Sequence, residues 1–199
     1  MTPEQFKQAL ETKKVEKFSK WESGARSGSG WQERHKQAAK LKEDLAVMVS
    51  STAVRSDSSL EAWLLEDKNL LKSLEIEEAQ DRKNGLDTIS HEKLDQGLSD
   101  EEWGNRVNTR RNEAKEVAVK HIDDAYDRVY EAGLKHPSWQ DPLLNYADWV
   151  FQAISDIFDH FIEFVTELVE KIAEWLKKVF DEIVSWWNLA CSTITSIFE

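Results

Sequence analysis

The sequence predicts an all-α protein in which a helical bundle is followed by one long C-terminal amphipathic helix with an 11-residue repeat. Three observations carry this. Seven Gly and three Pro among 199 residues leave few helix breakers. No period-two alternation of apolar and polar residues persists beyond a few positions, so no segment reads as a strand. From Val150 onward, apolar residues recur every eleven positions in four full blocks, VFQAISDIFDH, FIEFVTELVEK, IAEWLKKVFDE and IVSWWNLACST. Positions 1, 2, 4, 5, 8 and 9 of each block are apolar. Eleven residues in three turns is about 3.67 per turn, which keeps these positions on one broad side of a helix.

Thr2-Pro3-Glu4-Gln5 is a capping box, with Pro at the first helical position where no donor is lost. It opens a helix to about Trp21 with a sparse apolar face (Phe6, Leu10, Val15, Phe18, Trp21), expected to dock on one side only. Ser23 to Gly30, SGARSGSG, is a linker composition. Gly28-x-Gly30 lacks the third glycine and the Lys-Ser/Thr of a phosphate loop. A second helix is expected over Gln32 to Ser51. Ser58 to Glu61 opens a third on Leu60, Trp63, Leu64, Leu71 and Leu74, expected to end at Asn84-Gly85 with a left-handed cap. A short helix over Ser90 to Gln96, ending at Gly97, comes next. The capping box Ser99 to Glu102 then opens a long helix to about Ala132, with Gly133 as its stop. LKHPSWQDP turns the chain, and Asp141-Pro142 starts a final helix with no further Gly or Pro before Phe198. Unbroken, that helix would be about 85 Å long at ~1.5 Å per residue. The chain thus divides into a helix (1–22), a linker (23–30), a helical head (31–136) and an assembly or membrane helix (137–199).

The formal charge is −12. Residues 1–50 carry +3, 51–142 carry −8 and 143–199 carry −7. Nucleic acid is a poor partner for such a chain, because phosphate binding needs a concentrated basic patch. The residues give no catalytic, metal or cofactor site. His91 with Asp95, His160 with Asp156 and His121 with Asp124 read as solvated helical neighbours, and no third ligand converges on any of them. Asp123, Asp124 and Asp127 lack the glycine turn of a calcium loop. The lone Cys191 occupies an apolar repeat position and excludes an internal disulfide. An enzyme is therefore a remote alternative. The first twenty residues are charged throughout and hold no apolar core of a secretory signal, so the expected location is cytoplasmic or particle-associated, with a peripheral or inserted membrane state.

The repeat carries the functional expectation. Val150, Ile154, Ile157, Phe158, Phe161, Val165, Leu168, Val169, Ile172, Leu176, Val179, Phe180, Ile183 and Trp187 form a stripe far wider than a monomer leaves in water. Three burials compete: against the other helices, against copies of the chain or partner helices, and in a bilayer. Aspartate at Leu168 or Ile172 would then dissociate a homo-oligomer. The repeat resembles that of exchangeable apolipoproteins and synucleins in period alone, which implies a lipid surface. Trp175, Trp186 and Trp187 are the expected interfacial aromatics. Ile183 to Phe198 is sixteen residues without a charge, short of the ~20 needed to span a bilayer. The expected function is self-assembly with action at a membrane, as a pore-forming, membrane-remodelling or membrane-penetrating component. The alternative is a soluble scaffold or virion-type subunit assembling through the same helix.

Overall fold

A computed structural model describes residues 1–23, 31–50, 57–170 and 178–198. These form six α-helices: α1 (Pro3–Ser23), α2 (Trp31–Val49), α3 (Ser58–Gln96), α4 (Asp100–Lys135), α5 (Gln140–Glu170) and α6 (Val179–Phe198). A 3-10 turn, Pro137–Trp139, precedes α5, and there is no strand among the described residues. The linker segment 24–30 lies outside them.

Local chemistry sets most helix starts. Thr2 Oγ1 accepts the Gln5 amide at 3.2 Å while Gln5 Oε1 accepts the Thr2 amide at 2.9 Å. Ser99 and Glu102 close the same reciprocal box at the start of α4. The cap of α3 lies one residue earlier than the sequence suggests: Asp57, not Ser58, accepts the amides of Ser59 and Leu60. Asp57 also accepts a 2.6 Å hydrogen bond from Trp139 Nε1, so one carboxylate caps α3 and ties it to the turn before α5. That indole bond, with the two amides, holds the Asp57 carboxyl below its usual 3.8 despite partial desolvation. A lowered carboxylate stabilises the fold above 3.8 and loses that contribution as pH falls through its folded value. Asp57→Asn is therefore expected to flatten the acid limb of a melting-temperature profile below about pH 3.8. A wild-type slope in the variant would contradict this.

Two glycines expected to end helices do not. α3 runs through Gly85 to Gln96, absorbing the short helix expected at Ser90, and ends at Gly97, which does take the left-handed conformation (φ +69°). α4 runs through Gly133 to Lys135. Both glycines are places of close approach. A Cβ at Gly85 would stand 3.0 Å from Arg110 Nε, and one at Gly133 would stand 2.1 Å from Phe6 Cε1. The final helix also begins before Asp141-Pro142, at Gln140, because the 3-10 turn already supplies its first backbone direction.

The expected long C-terminal rod is corrected most. Trp149 and Phe198 rings lie edge to face at 5.5 Å, and Trp186 meets Phe161 at 5.4 Å and Phe164 at 5.3 Å. In one straight helix Trp149 and Phe198 would be about 73 Å apart at ~1.5 Å per residue. α6 therefore folds back along α5 as a helical hairpin, and residues 171–177 between them lie outside the described residues. Reversal lets the apolar faces of both arms bury each other and the head, whereas a rod longer than its neighbours leaves much of its face in water.

Helices α3 to α6 alternate in direction. Arg106 of α4 pairs with Glu92 of α3 near their short link, and Arg128 pairs with Asp67 about six turns away, so α3 and α4 are antiparallel. Tyr146 reaches Asp67 and Phe161 lies over Arg82, which sets α5 parallel to α3. One contiguous core joins all six helices, from Phe6 in α1 to Phe198 in α6.

Candidate assembly and membrane face

Most of the stripe is consumed inside one copy of the chain. In α5, Val150, Ile154, Ile157, Phe158, Phe161, Val165 and Leu168 are buried and Val169 is partly so, following the repeat positions of the first two blocks. In α6 the wide face narrows. Val179, Ile183 and Trp186 are buried with Ala190, Ile194, Ile197 and Phe198, whereas Phe180 and Trp187 sit at the margin and Val184 is exposed. Ile172, Trp175 and Leu176 lie outside the described residues. Of the expected interfacial indoles, Trp186 is 4% exposed and stacks on Phe164, so it is a core residue in this state. Burial of each such side chain contributes about 1.5–3 kcal/mol. Cys191 is half-buried, and burial pushes its thiol above the usual range.

α6 lies chiefly against α3, with further contact to α2 and α5. At its start Phe180 meets the His91 ring at 4.3 Å; at its far end Phe198 meets Trp149, whose indole N–H donates to the Leu41 carbonyl at 2.9 Å. α6 is thus held against α2, α3 and α5 mainly by apolar contact.

Along α3, facing α4 and α5, runs a seam of charge. The inward residues of α3 follow three-and-four spacing, Leu60, Leu64, Asp67, Leu71, Glu75, Ala79, Arg82, Leu86, Ile89 and Lys93, so four ionisable groups occupy core positions. Each has a partner. Asp67 accepts from Arg128 and from Tyr146 Oη at 2.9 Å. Glu75 Oε1 meets His121 Nδ1 at 2.8 Å, a partner from another helix in place of the expected Asp124. Arg82 pairs with Glu78 at 3.0 Å and places its guanidinium 5.2 Å from the centre of the Phe161 ring. Lys93 donates to the Leu98 carbonyl at 2.6 Å and to Asp100, clamping the α3–α4 link. Burial raises the Glu78 carboxyl above its usual value, opposed by Arg82. Burial and the Asp67 charge raise the Tyr146 hydroxyl well above its own, so it remains a donor. Charges at these positions cost desolvation that pairing largely offsets, and they fix register more than they add stability.

Among the described residues no three His, Cys, Asp or Glu side chains converge as metal ligands. No helix of the described residues is long and apolar enough to cross a membrane. Comparison of the chain with protein-family models, with curated proteins and with solved structures gave no match.

Proposed function

We propose that this is a non-enzymatic helical protein that stores a membrane-active hairpin in a closed bundle and acts at a membrane when that hairpin opens, assembling there as a homo-oligomer. The observation that carries the reading is α6, which bears no charge from Ile183 to Phe198 and lies packed under α2, α3 and α5. Released, α5 and α6 would present two broad apolar faces while keeping their backbone hydrogen bonds, the condition for entering a bilayer. The stretch is too short to act as a single-span anchor, so it favours shallow insertion or a bundle around a polar lumen. The acidic outer residues disfavour anionic headgroups, hence the closed form stays off such surfaces. Support for a non-catalytic role comes from the ionisable core groups of α3, each of which is paired with a neighbouring side chain.

The test is dye release from neutral and anionic liposomes at pH 7 and pH 5. Wild-type protein is expected to release dye under at least one of these conditions, and a variant truncated after Glu182 to release none. Intact, folded protein that releases none anywhere would leave the soluble scaffold in its place.

A further inference from the structure

α1 packs against α4 and α5 in a groove whose features read a helix residue by residue. Phe6, fully buried, enters the hole left by Gly133 and stacks on Tyr130 at 6.2 Å. Leu10 follows one turn later, also buried. Lys13 and Lys14 then reach opposite walls, Lys13 to Asp148 of α5 and Lys14 to Asp123 of α4 at 3.4 Å. Lys7 and Lys14 also place their ammoniums 5.9 Å from the rings of Tyr130 and Tyr126. At the far end Phe18 and Trp21 pack on Phe151, Trp21 also meets Phe158 at 5.4 Å, and its indole donates to Asp159 at 3.2 Å.

We infer that this groove is a helix-exchange site, at which α1 of one copy docks on α4 and α5 of a second copy. Three observations select that occupant. The hole at Gly133 and the two acidic walls match the spacing of Phe6, Lys13 and Lys14 in this chain itself. Residues 1–30, which hold α1 and the linker sequence, carry +2 while the remainder carries −14, so arm and body attract across copies as they do within one. α1 is joined to the rest through the glycine- and serine-rich sequence SGARSGSG, and it supplies only Phe6 and Leu10 to the fully buried core. Exchanging it leaves the packing among α2 to α6 unchanged, which is the condition for a low-cost swapped dimer. The inference stands apart from the membrane reading, since it uses a different surface.

Complementation between full-length variants tests it. Asp123→Lys/Asp148→Lys repels its own α1 but keeps that helix intact, and Lys13→Glu/Lys14→Glu repels the groove but keeps the groove intact. All four substitutions replace charged side chains and none replaces an apolar core residue, although Lys14 and Asp148 are partly buried, so far-UV circular dichroism of each variant accompanies the sedimentation. In sedimentation at about 50 μM, chosen to lie above a micromolar dissociation constant, each variant alone is expected to run as a monomer and the equimolar mixture as a dimer, at least tenfold tighter than either alone. A second pair reads the hole. Gly133→Val is expected to dimerise only with Phe6→Ala, and adding Gly133→Val to the Phe6→Ala copy abolishes pairing while filling the space Phe6 vacates. Monomeric mixtures from folded variants, or a mixed dimer that survives Gly133→Val on both copies, would overturn the inference.

Discussion

Arg128→Ala is expected to destabilise the protein by about 3 kcal/mol, because it strands the Asp67 carboxylate in the core with only the Tyr146 hydroxyl to satisfy it. Asp67 is 5% exposed, so water cannot replace the lost guanidinium at little cost. For a chain of this length that loss lowers the melting temperature by about 10 °C. Replacing the whole cluster with Asp67→Leu, Arg128→Met and Tyr146→Phe removes the stranded charge as well as its partners, and is expected to cost less than half as much. Urea unfolding of the two variants measures both. Equal losses would show that the seam contributes directly to stability and does not merely satisfy itself.

Leu168→Asp is expected to abolish the native fold at 25 °C, with a loss of about 5 kcal/mol or more. Leu168 is fully buried on α5, so the substitution removes its apolar volume and introduces a carboxyl without a partner. That loss is of the order of a domain's whole stability. If the stripe served chiefly to join copies, the same variant would give a helical, folded monomer. Far-UV circular dichroism together with sedimentation separates these results, since here the helicity itself collapses.

The helix starts were legible because capping is local chemistry: Thr2 with Gln5 and Ser99 with Glu102 lie three residues apart, and each box appears as read. The helix end at Gly97 was legible for the same reason, while the left-handed cap expected at Asn84-Gly85 is found at Gly97 instead. The repeat identified which α5 residues are buried, since periodicity records a face. It did not record what covers that face, and hence hid the reversal between α5 and α6. Gly85 and Gly133 misled because glycine serves two purposes. It relieves a left-handed cap, and it also opens room on a helix for a neighbour, here Arg110 and Phe6, at about 1 kcal/mol of helix propensity. The seam on α3 carried a readable signal in its three-and-four spacing through charged residues. Its pairing did not, because His121 and Arg128 lie 46 and 61 positions from Glu75 and Asp67.

The central claim is that the C-terminal helix, uncharged from Ile183 to Phe198, is stored, folded back, within a single copy. A spin-label distance between Cys191 and a cysteine introduced at the exposed Gln152 tests it most directly, in dilute buffer without lipid. With Trp149 and Phe198 in contact, the two labels are expected within about 25 Å, allowing ~1.5 Å per residue along each arm. A distribution centred near ~58 Å, the separation along one continuous helix, would contradict the closed hairpin.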